Sequence, residues 1–254
     1  MNDDAMSAEF DTVAAWTSEV ALDLGPEYLV PAACRGSASP GALRWLLEHL
    51  DPTARTRMLD CGAGMGGPAA FAAAEVGVTP VLSEPEPGAC RAALRMFGLP
   101  VVQAASALPF ASGAFDVIWS LGVLCTIADQ RTFLAELRRV LTPDGRLGLL
   151  VFVARTSSLP EQPSGNNFPT EDGLRSLLAE ARFTVINSAA NADFAEMPSY
   201  WRERANAVEA ELERRHHDHP AWQTASRQSK IIGKLLADGD LTGVLMVANS
   251  QPFD

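Results

Sequence analysis

No stretch of this 254-residue chain approaches the roughly 20 consecutive apolar residues that a membrane-crossing helix needs, so no membrane partner is expected. Cysteine is scarce. Cys34, Cys61, Cys90 and Cys125 are widely scattered, match no zinc-ligand spacing and fit a reducing, cytoplasmic setting. Positive charge is scarce as well: 20 Lys and Arg stand against 31 Asp and Glu. The resulting net charge of −11 argues against a nucleic-acid backbone or an anionic membrane surface as partner. Internal repeats and low-complexity tracts are missing, and no signal peptide follows the acidic start Met1-Asn2-Asp3-Asp4. One α/β domain is expected, as a monomer or homodimer.

What is present is a single organising stretch, Met58-Leu59-Asp60-Cys61-Gly62-Ala63-Gly64-Met65-Gly66-Gly67. An apolar run ends in an acid, glycines follow, and residues 69–76 continue as an Ala-rich helix. Strand, glycine turn and helix form the first unit of a doubly wound sheet. Glycine lets the backbone turn with positive φ and lets a ligand approach closely, and the helix start offers unpaired N–H groups. Gly62, Gly64 and Gly67 also satisfy the pattern of dinucleotide-binding proteins, and a glycine turn can bind nothing at all. Asp60 favours a different ligand. A carboxylate before the first glycine repels a pyrophosphate and suits a cation, such as the sulfonium and amino group of S-adenosylmethionine.

The remaining pattern alternates helix and strand. Residues 10–22 read as a helix with Phe10, Val13, Ala14, Val20 and Leu22 on its apolar face, broken by Gly25-Pro26. Residues 41–50 form another, with Pro40 in its first turn. Arg35 stands in a turn just before the first strand, as a surface residue or folded over the site to pair with a carboxylate. Strands are expected at 78–82, 100–103, 115–119, 146–154, 183–186 and 243–248, and helices at 88–96, 131–141 and 171–181. Asp129 and Thr170 stand at helix starts. Glu84, at the end of the second strand, can accept bonds from both hydroxyls of a ribose or serve as an N-terminal helix charge.

The order of Asp60-Cys61-Gly62-Ala63-Gly64, Glu84, residues 107–120 and Glu136-Leu137-Arg138-Arg139-Val140-Leu141-Thr142-Pro143-Asp144-Gly145 resembles the class I S-adenosylmethionine-dependent methyltransferases, nearest their small-molecule branch. The resemblance implies a Rossmann-like, doubly wound, seven-stranded, mostly parallel sheet with an antiparallel last strand. It also implies S-adenosylmethionine as co-substrate. Gly62 and Gly64 would contact its methionine part with Asp60 and Leu121 nearby, Glu84 its ribose with Pro85 beside it, and Ala105, Ser106 and Ala107 its adenine. Arg35 would pair with its carboxylate. There are departures. Ala104 stands where relatives often carry an acid toward adenine, and Cys125-Thr126 stands where many carry histidine, so a histidine mechanism from that loop is unsupported.

One domain over residues 1–254 is therefore expected. Residues 1–56 form a helical cap, 57–188 and 241–254 the core, and 189–240 a helical insertion over the acceptor side. The insertion reads as helices at 198–216 and 220–236 and carries His216-His217-Asp218-His219. Adjacent histidines on a helix point apart and form no i, i+4 pair, so no metal site is expected there. They fit a polar helix end, or a base: His216 or His217 is the candidate to take a proton from a hydroxyl acceptor. Tyr28, Asn167 and Trp201 are candidate acceptor contacts. The activity expected is methyl transfer to an oxygen or nitrogen. A non-catalytic S-adenosylmethionine-binding protein and a nicotinamide oxidoreductase are the alternatives.

Overall fold

In the computed structural model, which describes residues 8–34 and 38–251, seven strands make one sheet. They are β1 (Met58–Cys61), β2 (Val81–Glu84), β3 (Val101–Gln103), β4 (Phe115–Leu121), β5 (Leu141–Ala154), β6 (Phe183–Ala190) and β7 (Leu241–Ser250). Their order across the sheet is β3-β2-β1-β4-β5-β7-β6. The pairs β1–β2, β2–β3, β1–β4 and β4–β5 are parallel, and β7 runs antiparallel between β5 and β6. The chain winds outward from β1 in one direction through β2 and β3, then returns to continue from β4 on the other side. That reversal opens a crevice outside the carboxyl ends of β1 and β4, where ligands bind in such sheets.

Central strands are apolar because both faces are covered. All four residues of β1 are buried, as are all of Leu147 to Val151 in β5. One face packs Leu134 and Leu137 of helix α6 (Gln130–Val140) and Leu174 and Leu178 of α7 (Glu171–Glu180). The other packs Leu43, Leu46, Leu47 and Leu50 of α3 (Pro40–Leu50). Side-chain caps start four helices: Ser39 accepts from the Ala42 amide, Asp129 from Thr132, Thr170 from Gly173 and His219 from Ala221. Helices α4 (Gly67–Val76) and α5 (Pro87–Phe97) complete the βαβ units.

Segments outside the sheet form a third packed cluster. A π-helical turn, Ala8–Val13, leads into α1 (Ala14–Leu24) and α2 (Pro26–Ala33); α8 (Ser199–His216) and α9 (Pro220–Ala237) come from the insertion before β7. Val13, Val20, Ala32, Val208, Leu212 and Trp222 pack together here. The N-terminal turn lies on α9 and α5, so sequences from both sides of the core meet over its crevice. Among the described residues no helix is long and apolar enough to cross a membrane.

The structure departs most from the sequence expectation at three places. α2 is a complete helix where no element is expected, although Pro26 supplies a first-turn proline and Glu27 a favourable first-turn acid. β5 starts at Leu141 rather than 146: Leu141 pairs with Phe115, and a register shift between Phe115 and Val117 absorbs the turn-like Thr142-Pro143-Asp144-Gly145. β6 runs past 186 to Ala190 because β7 is long enough to pair with it throughout.

Candidate functional site

The turn after β1 is held by backbone. The amides of Gly62 and Ala63 both donate to the Ser83 carbonyl, at 2.8 and 3.1 Å. Gly62 has φ +75°, and a Cβ there would lie 2.3 Å from a Val123 methyl, so glycine is required on two counts. Gly64, at φ +53°, is different: a Cβ there would have no atom within 4 Å. The turn thus presents a bare backbone edge to open space.

Glu84 ends β2 opposite this edge. Its Oε2 accepts from the Gly64 amide at 2.9 Å and its Oε1 from the Glu86 amide at 3.1 Å. Burial raises its pKa, and the two amides offset only part of that rise. The carboxylate is 5 % exposed, fixed in position before any ligand arrives.

Asp60 is 1 % exposed, and its Oδ2 has no hydrogen-bond partner. Burial pushes its pKa up to about 7, and the nearby charge of Glu84 adds to this. The Trp119 indole and the Ala69 amide oppose the shift. The indole N–H is near enough to favour the charge yet falls outside hydrogen-bond geometry, leaving it unpaired as well. The direction of the shift carries a prediction. An acid whose folded pKa lies above its unfolded value of 3.8 is protonated in the native state and ionised in the unfolded chain across the interval between them. The native state then binds more protons, and stability falls as pH rises through that window. The Asp60 contribution should be a loss of roughly 2–3 kcal/mol between about pH 5 and pH 8. It is read as the difference between ligand-free wild type and Asp60→Asn in urea denaturation. Parallel pH profiles for the two proteins would show that Asp60 keeps its ordinary pKa.

These groups line a cavity of about 510 Å³, within the usual range for small-molecule sites. Its floor includes Asp60, Gly62, Gly64, Ser83, Glu84, Pro85, Ala105, Ser106 and Leu121. The roof comes from elsewhere: Glu9, Phe10, Val13 and Thr17 from the N-terminal segment, and Gln228, Ser229, Ile232, Gly233 and Leu236 from α9. Its far end, beyond β4 and β5, holds Cys125, Thr126, Ile127, Phe152, Asn166 and Phe168. Asp11 fastens the roof to the floor: its Oδ1 accepts from the Gly88 amide at 2.5 Å, at the start of the helix that follows Glu84.

Of the residues singled out from sequence, Asp60, Gly62, Gly64, Glu84, Pro85, Ala105, Ser106 and Leu121 come together on the wall, and Ala107 does not. Arg35 lies outside the described residues. The acceptor candidates need correction. Tyr28 packs beside the Val13 cluster, and Trp201 is buried with its ring edge-on to Phe71, 6.2 Å between centroids. The backbone N–H of Asn167 donates to the Cys125 carbonyl, and its neighbour Asn166, not Asn167, lines the cavity. Neither His216 nor His217 lines the cavity. His216 is stacked flat on Trp16, 3.9 Å between centroids, and His217 pairs with Asp218 on the exposed end of α8. A base must reach the proton it takes, so the catalytic role falls for both. Among the described residues no three His, Cys, Asp or Glu gather to hold a metal. The sequence reading gives Phe10 and Val13 as core-facing and passes over Gln228; only their convergence reveals the roof.

Residues 59–149 match a family model described as a methyltransferase domain. Methyltransferase GfsG of Streptomyces halstedii is 34% identical over 118 residues, covering 43% of this chain and 42% of that protein. The glycine/sarcosine/dimethylglycine N-methyltransferase of Actinopolyspora halophila is 33% identical over 126 residues, 46% of this chain and 22% of the relative. The matches thus span less than half the length of either curated relative. In fold, the cyclopropane synthase MmaA2 of Mycobacterium tuberculosis superposes with a TM-score of 0.69 over 92% of this chain and 97% of that one, at 16% identity.

Proposed function

We propose that this chain, which belongs to the class I S-adenosylmethionine-dependent methyltransferases, transfers a methyl group to an oxygen or nitrogen of a small-molecule acceptor. The observation that carries the reading is the pairing of the bare Gly64 edge with a prefixed Glu84, beside a buried Asp60 whose Oδ2 lacks a partner. The residues fit the donor. Glu84 offers carboxylate oxygens to ribose hydroxyls, and Asp60 offers a buried anion to a cationic group, which would keep it ionised at neutral pH. Ala105 and Ser106, on the same wall, would meet the adenine. Bound there, S-adenosylmethionine supplies a methyl group on a positively charged sulfur, which leaves with the electron pair of the broken C–S bond.

The chain's own task is then to orient and to exclude water. The N-terminal turn and α9 supply the cover, and the insertion lies on the acceptor side. No histidine lines the cavity among the described residues; an amine acceptor then needs positioning alone, while a hydroxyl acceptor would give its proton to a wall carboxylate or to water.

Calorimetry with S-adenosylhomocysteine, followed by labelled-methyl transfer across acceptors, tests this reading. Glu84→Ala should weaken donor binding by roughly 1.5–3 kcal/mol, the range for hydrogen bonds to a charged group, which is about 10- to 150-fold in Kd. An unchanged dissociation constant would remove Glu84 from the donor site. Tight binding of NADH in place of S-adenosylhomocysteine would overturn the donor itself.

A further inference from the structure

The two ends of the cavity differ in charge. Among the described residues the wall holds four acids, Glu9, Asp60, Glu84 and Glu86, and no lysine, arginine or histidine. These acids belong to the floor and the N-terminal roof; at the other end a carboxylate or phosphate on the acceptor would meet an apolar wall and no cation among the described residues. The far end is built instead from Ile127, Phe152 and Phe168, and α9 adds Ile232 and Leu236 from the roof, a wall for apolar bulk.

Most polar side chains at that end are engaged with their own loops. Cys125 Sγ donates to the Gly122 carbonyl at 3.3 Å, Thr126 Oγ1 to Val123 at 2.8 Å, and Asn166 Nδ2 to Ser164 at 3.3 Å. Gln228 differs. It projects from α9 onto the cavity wall, is 9 % exposed, and its Oε1 has no hydrogen-bond partner. A buried amide oxygen left unpaired is costly, and native structures rarely keep one without a use. A half-turn about the last side-chain torsion brings either end of the amide to the cavity.

We propose that Gln228 recognises the acceptor, and that the acceptor is an uncharged, predominantly apolar molecule whose hydroxyl or N–H group bonds to the Gln228 amide. The proposal rests on the methyl-transfer reading and deepens it. The apolar far end holds the bulk of the acceptor, and the lone bond to Gln228 fixes its rotation. A site built around one such bond discriminates strongly against an analogue lacking the donor, because the amide oxygen is then left unpaired.

A matched trio of probes tests this by binding alone, at saturating S-adenosylhomocysteine. 1-Naphthol carries the donor, 1-methoxynaphthalene lacks it, and 1-naphthoate adds a charge. Naphthol should bind, methoxynaphthalene at least tenfold more weakly, and naphthoate not measurably. Gln228→Leu should bind the first two alike, and Gln228→Ala should do the same if leucine disturbs α9, with circular dichroism reporting the fold of each. Both variants should keep their affinity for S-adenosylhomocysteine within about twofold. Naphthoate binding as tightly as naphthol, a donor preference surviving in both variants, a joint loss of donor affinity, or no binding of any naphthalene would each overturn the proposal. If S-adenosylhomocysteine itself fails to bind wild type, the donor reading falls instead. The same trio on the unloaded protein then still decides the role of Gln228.

Discussion

Gly64→Asn should give a folded protein that has lost its donor site. Gly64 sits in the left-handed region at φ +53°, which asparagine tolerates better than other side chains. A Cβ there meets nothing within 4 Å, so no neighbouring atom resists the substitution, and what strain there is comes from the left-handed backbone. The space it fills is the cavity itself, across from Glu84. Affinity for S-adenosylhomocysteine should fall by a hundredfold or more, about 3 kcal/mol, while the circular dichroism spectrum stays that of wild type. Retained affinity in a folded variant would mean that the ligand approaches from another side of the turn.

Gly67→Ala, three residues on, should fail in the opposite way. A Cβ there would lie 2.4 Å from the Ala33 carbonyl carbon and 2.6 Å from the Cys34 nitrogen. Both are backbone atoms at the end of α2, which cannot swing aside as a flexible side chain could. α4 and α2 must separate, and overpacking of this kind costs about 3 kcal/mol. In a protein of this size the thermal midpoint should drop by roughly 6–12 °C. A midpoint within about 1 °C of wild type would mean that α2 does not rest on the start of α4. Together the two variants separate what the glycines do: one leaves room for a ligand, the other for a neighbouring helix.

The floor of the site is legible in sequence because its signals are local. Asp60, Gly62 and Gly64 are adjacent, and Glu84 follows at the end of the next apolar run, so strand–turn–helix logic places all four. The roof is not legible, because Phe10, Val13 and Gln228 acquire a meaning only when α9 folds back over the N-terminal turn. Before that, an apolar face reads as core, and Gln228 is one glutamine on a mixed helix. His216 is misread for a related reason. Sequence gives its chemistry but not its neighbour, and stacking on Trp16 takes the ring away from the cavity. α2 is hidden by Pro31, a helix breaker by rule, which the structure accepts inside a short helix.

The split between floor and roof decides what kinship can report. The stretch that matches the methyltransferase-domain family runs from 59 to 149, whereas the roof is drawn from residues 9–17 and 228–236. Inheritance of the floor would preserve the proposed donor site. The roof can drift without disturbing it, tied down through contacts such as the one between Asp11 and Gly88. Two proteins of this kind can therefore share most of their recognisable ancestry and still part company over the molecule they modify.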